Sequence, residues 1–286
     1  MTGERFPTPS LCTVRKFVQL GTCSETLFNV ANRAYGVPAE PEEHASAPLG
    51  GGIVSAGHTC GQLWGASLAA GAQAHRLFGP GPQAEAAAVL ASQRLVVVFT
   101  GRYAETTCRG LTNADFRRFW SGMGYLARGG IFRCTRMAVQ FGPLAVETID
   151  EVYAGALPEA PPGCASCAAR TARALGASDL HATMAAGFAG GVGLHGGACG
   201  ALGTAVWLTA MDHPGDKIGV RADGTHVGAL IDRFLEHTGG EYTCAALVGR
   251  RFDGVIDHAR HLSAGGCARI IETLAAPEER GTTEAA

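Results

Sequence analysis

The sequence predicts an all-α protein made of two homologous helical-bundle repeats packed with pseudo-two-fold symmetry. Three observations point there. Apolar residues recur at helical spacing in most long segments, and strand alternation and hairpin turn pairs are scarce. Eight of the ten cysteines fall into two sets of four with similar spacing. The glycine context around the second cysteine of each set is also repeated.

In chain order, "CSETLFNVANRAYG" places Leu27, Val30, Ala31 and Ala34 on one helix face and ends at Gly36, a suitable C-terminal cap. "GHTCGQLWGASLAAG" then starts a second helix at Cys60, with Gly61 and Gly65 four residues apart. Small residues at that spacing allow a neighbouring helix to come close. "QAEAAAVLASQRLVVVFTGRYAE" reads as a long buried helix. The second half repeats the plan: "CAARTARALG" ends at Gly176, "HGGACGALGTAVWLTA" carries Cys199, "GTHVGALIDRFLEHTGG" is amphipathic, and "AGGCARIIETLAA" closes the chain.

The cysteines set the register. Cys23, Cys60, Cys108 and Cys134 are 37, 48 and 26 residues apart, and Cys167, Cys199, Cys244 and Cys267 are 32, 45 and 23 apart. "GGGIVSAGHTCG" precedes the helix in one half and "GGVGLHGGACG" in the other. "RYAETTC" and "EHTGGEYTC" lead into the third cysteines. Pro and Gly cluster in "AGALPEAPPG", so the expected division is a first repeat over 1–153, a linker over 154–163 and a second repeat over 164–286. Cys12 and Cys164 have no counterparts.

The 286 residues are 47% hydrophobic and 17% charged, enough for a large core. A net charge of −2 without Lys/Arg runs gives no case for nucleic acid or an anionic membrane surface. No stretch reaches roughly 18 uncharged apolar residues, and the N-terminus lacks a secretory signal core. A cytoplasmic location is therefore expected. In a reducing compartment, ten cysteines point to metal or redox chemistry rather than structural disulfides.

Four thiolates per repeat suit an iron–sulfur cluster, a tetrahedral zinc, or two dithiol pairs. Gaps of 23 to 48 residues disfavour a zinc ribbon, leaving a cluster or thiol chemistry. "CASC" (Cys164–Cys167) lacks a preceding strand, and "GGGIVSAG" and "GFAGGVG" match no nucleotide fingerprint. The histidines do not align between halves. A helix start at Cys60 or Cys199 stabilises a thiolate or offers N–H groups to cluster sulfides; buried cysteine as plain filler is the bland alternative.

At these residues the chain resembles the C_GCAxxG_C_C family of redox-active proteins, once per half. "CGQLWG" (Cys60–Gly65) keeps the glycine frame, with Gln62 at the family's Ala. "CGALGT" (Cys199–Thr204) keeps Ala201, while Thr204 replaces the final glycine. The resemblance implies a helical redox module able to hold an iron–sulfur cluster, [2Fe–2S] or [4Fe–4S], with Cys23, Cys60, Cys108 and Cys134 as one ligand set and Cys167, Cys199, Cys244 and Cys267 as the other. The expected partner is a redox protein or a small-molecule electron donor or acceptor, and a homodimer stays open. A cluster-free thiol–disulfide oxidoreductase, with Cys164 or Cys12 as an extra resolving thiol, and a helical scaffold with buried cysteines are the competing readings.

Overall fold

A computed structural model describes residues 10–157, 159–216 and 225–277. Among these residues there are helices and no strands. The first half holds α1 (Ser10–Leu20), α2 (Cys23–Ala34), α3 (Glu40–Ala45), α4 (Gly61–Phe78), α5 (Pro82–Tyr103), α6 (Cys108–Thr112), α7 (Phe119–Ala127) and α8 (Gly130–Ala154). The second holds α9 (Cys167–Ala174), α10 (Asp179–Ala186), α11 (Gly200–Asp212), α12 (His226–Thr238), α13 (Cys244–Val248), α14 (Val255–Ser263) and α15 (Ala268–Ala275). Helices α2–α8 and α9–α15 follow one another in the same order relative to the cysteines.

The apolar faces of both halves meet in one core. Trp64 on α4 and Trp207 on α11 are fully buried. Each removes on the order of 200 Å² from water, worth roughly 5 kcal/mol at about 25 cal/mol per Å². The contacts between halves are reciprocal: α10 packs on α4, and α3 packs on α11. Trp64 meets Phe188 edge-on at 4.5 Å, and Trp207 Nε1 donates to the Glu42 carbonyl at 3.0 Å. Helix α5 is long and apolar enough to cross a membrane by length and composition alone. It is largely buried against α4, α8 and α10 and serves as a core helix.

The glycine frame explains the close approach of α4 to α2. A Cβ at Gly65 would overlap the Ser24 carbonyl oxygen, and one at Gly61 would stand 2.5 Å from Cys23 Sγ. Thr204 takes the place of that last glycine on α11. It is fully buried and turns its hydroxyl back to the Gly200 carbonyl at 2.8 Å, so α11 carries a side chain there.

Between the first and second cysteines of each half the chain makes a left-handed turn. Five successive residues, Gly51 to Ser55, have φ between 44° and 78°, and five more, Gly190 to Leu194, have φ between 58° and 81°. Non-glycine residues pay roughly 1–2 kcal/mol each for this conformation. Burial of Ile53, Val54, Val192 and Leu194 in the core offsets that cost. The closing bonds correspond one to one: Gly57 N–H to Gly51 O and Gly196 N–H to Gly190 O are both 2.9 Å.

Candidate redox site

Each set of four cysteines sits at matching places in the fold. Cys23 and Cys167 open α2 and α9; Cys60 and Cys199 cap α4 and α11; Cys108 and Cys244 open α6 and α13. Cys134 lies just inside α8, whereas Cys267 is the left-handed residue before α15. The second and third cysteines are tied by backbone pairs. Cys60 N–H donates to Thr106 O at 2.8 Å and Cys108 N–H to His58 O at 2.6 Å. In the second half Cys199 N–H reaches Tyr242 O and Cys244 N–H reaches Gly197 O, both at 2.7 Å. These pairs flank the isolated bridges Thr59–Thr107 and Ala198–Thr243. Across the halves, Ala198 N–H donates to Thr59 Oγ1 at 2.9 Å.

The left-handed turn has a chemical consequence. It aims the Gly51 amide at Cys23 Sγ, joining the amides of Cys23 and Ser24 at the start of α2. Gly190 does the same for Cys167, joined by the amides of Cys167 and Ala168. Three N–H groups around one sulfur form a small nest for a thiolate or a metal-bound sulfur. Periodicity and fingerprint matching pass over this role for "GGGIVSAG" and "GFAGGVG". The legible signal was the recurrence of glycines at the same offset before both CG pairs.

In the first repeat, Cys23, Cys108 and Cys134 line a cavity of about 440 Å³, together with Gly51, Tyr125 and Ile131. The neighbouring Cys60 thiol, with help from the Gly51 amide and against the opposing effect of burial, lowers Cys23 below the ordinary thiol value of 9.0. The Cys23 thiol and burial raise Cys60 in turn. Burial and the neighbouring Cys23 raise Cys108 strongly and Cys134 to about 11. The Tyr125 hydroxyl, 2.9 Å from Cys134 Sγ, works the other way.

In the second repeat burial lifts all four thiols. Cys167 is raised, Cys199 and Cys267 reach about 12, and Cys244 is raised strongly. The charges of Cys167, Cys199 and Cys267 each add to the rise at Cys244. His261 Nε2 stands 3.7 Å from Cys267 Sγ, where the first repeat has Tyr125. His261 and Tyr125 went unnoticed in the sequence because nothing there marks which polar side chain turns inward.

Cys164 is half-buried between Ser166 O at 3.1 Å and Glu85 Oε2 at 3.4 Å; burial and that carboxylate raise it to about 11. Cys12 lies on α1, and its side chain is outside the described residues.

Among the described residues no three His, Cys, Asp or Glu side chains are gathered tightly enough to hold a single metal ion. Thiolates bound to one tetrahedral zinc at about 2.3 Å would lie within roughly 4 Å of one another. Three thiols of the first repeat line its cavity, and four cysteines with backbone N–H groups at the first are the donor types an iron–sulfur centre uses.

The sequence profile of the family described as "Putative redox-active protein (C_GCAxxG_C_C)" matches residues 22–147 and again 162–278. The chain belongs to the C_GCAxxG_C_C family. The two matches leave only short segments uncovered and make the chain a tandem copy of the module, with its all-α fold and both thiol sets inside the matched residues. No curated protein and no solved structure matches the chain.

Proposed function

We propose that each repeat is an electron-transfer module holding one iron–sulfur cluster, with Cys23, Cys60, Cys108 and Cys134 as ligands in the first and Cys167, Cys199, Cys244 and Cys267 in the second. The observation that supports this reading is the matching placement of four cysteines in each repeat, at the starts or caps of corresponding helices, with three backbone amides favouring the thiolate of the first. A bound cluster would supply one-electron redox chemistry. The chain's own part is to bring the thiols together, exclude water from them and direct N–H groups at sulfur. Buried thiolates repel one another, and positive iron relieves that repulsion. A cytoplasmic location and a redox protein as partner accompany this reading.

A second reading is favoured by the Cys60 thiol beside Cys23, which lowers Cys23. Cys23 as thiolate attacks a partner's disulfide, releasing one partner thiolate and forming a mixed disulfide. Cys60 then gives up its proton and attacks the Cys23 sulfur, releasing the second partner thiolate. The chain is oxidised to a Cys23–Cys60 disulfide by two electrons, and the partner is reduced by two.

The visible spectrum of protein purified without oxygen separates the two. Broad charge-transfer absorption lost on reduction supports the cluster. A colourless protein after iron and sulfide reconstitution, losing two thiols on mild oxidation, selects the dithiol.

A further inference from the structure

Helix α7 buries a single residue, Tyr125. Phe119, Met123 and Leu126, at i, i+4 and i+7, lie on one face of it and are exposed together with Trp120, which is 83% open to solvent. The start of α8 continues the apolar surface with Ile131 and with Phe132, 80% exposed. Scattered apolar residues on a surface need no explanation, but a Trp and two Phe in one patch do. Ile131 also lines the cavity beside Cys134, so the patch runs to the mouth of the first thiol site.

The charge around this patch is one-sided. Residues 109–136 hold six arginines and one aspartate in a chain of net charge −2. That aspartate, Asp115, is already paired with Arg109 at 3.3 Å and Arg118 at 3.7 Å. The corresponding stretch of the second repeat exposes Ile256 but no aromatic side chain. Phe252, Val255 and Leu262 are buried there, and Arg250 pairs with Asp257 at 2.7 Å while covering the Phe252 ring. The two repeats share a backbone plan, yet the first exposes aromatic groups within an arginine-rich stretch.

We propose that this face docks an acidic electron-carrier protein and that electrons pass there to or from the first repeat's thiol site. The inference rests on the redox reading above. Aromatic and arginine side chains are the types enriched at interface hot spots. A basic rim steers an acidic partner and makes association salt-dependent. In the step itself, the carrier's reduced centre gives up one electron and the first site gains one.

The test uses the full chain, purified without oxygen, and a reduced acidic plant-type ferredoxin as carrier. The second-order rate of reduction should fall about tenfold from low to high salt as the charges are screened. Trp120→Ser with Phe132→Ser, and separately Arg128→Glu with Arg136→Glu, should each slow it about tenfold, leaving reduction by a neutral small-molecule donor unchanged. Rates that ignore both salt and the substitutions would overturn the docking face. So would binding of wild-type chain to phosphatidylserine vesicles, or self-association, if the same variants abolished it and left carrier reduction intact. Calorimetric binding of oxidised ferredoxin does not depend on electron transfer. Variant-sensitive binding with no reduction would therefore keep the face and refute the redox reading instead.

Discussion

The two thiol sets stand on matching backbone, yet their surroundings differ. In the first repeat Cys60 lowers its neighbour Cys23, Tyr125 touches Cys134, and a cavity opens beside three of the four sulfurs. In the second, burial dominates at every thiol and His261 approaches Cys267. What is common to both lies in the backbone: the left-handed turn, the amide on the first cysteine, and the paired segments between the second and third. What differs is carried by side chains. A duplicated module thus keeps the geometry that gathers sulfur and varies the groups that set its reactivity.

The largest effects should come from breaking the shared geometry. Gly65→Ala places a methyl group on the Ser24 carbonyl, and Gly203→Ala drives one into the Trp64 ring. Each should cost about 1–3 kcal/mol of stability by overpacking, read from urea unfolding. If α11 were packed like α4, Thr204→Gly would be harmless. Because Thr204 is buried and fills its space, the substitution should instead cost about 1–2 kcal/mol, from helix propensity and the void.

The thiols make a smaller, pH-dependent contrast. Cys23 in the metal-free fold lies below an ordinary 9.0, so its ionisation stabilises the fold above pH 9 and that contribution is lost as pH falls below that value. Cys199 and Cys267 are raised from 9.0 to about 12. Their contribution is present below pH 9 and disappears as pH rises toward 12. Metal-free protein should therefore weaken above pH 9, and Cys199→Ser should lessen that loss. Cys60→Ala should move the half-point of Cys23 alkylation upward, leaving labelling of Cys167 slow throughout. An alkylation profile of Cys23 that does not change would sever the proposed pair.

The smallest effect concerns the groups on the fourth cysteines. Tyr125→Phe removes a hydroxyl beside Cys134, and His261→Phe removes the ring nitrogen beside Cys267. A hydrogen bond worth about 1 kcal/mol corresponds to a few tens of millivolts. Each substitution should shift the midpoint potential of its own repeat by that much and leave the other in place.

Much of this was legible in the sequence. The helices stand where the 3.6-residue pattern and the glycine caps put them, as in α2 and α12, because amphipathic faces and left-handed caps are local properties. The order of cysteines and the CG pairs revealed the duplication. The turn of Gly51 to Ser55 was not legible, since Ile53 and Val54 avoid positive φ and hold it only by tertiary burial. The inward turn of Tyr125 toward Cys134 and of His261 toward Cys267 depends on how the segments after α7 and α14 fold back, which periodicity does not show. Thr204 shows the same limit: the pattern marked the departure, and only packing shows how the helix accommodates it.

The central claim is that the two thiol sets are separate redox centres. Its most direct measurement is the iron and acid-labile sulfide per chain in wild type, Cys60→Ser and Cys199→Ser purified without oxygen. Equal iron and sulfide in wild type, with each variant retaining about half, is the expected result if each repeat binds one cluster through four cysteines. Iron-free wild type after reconstitution, or two variants that each keep the full content, would contradict it.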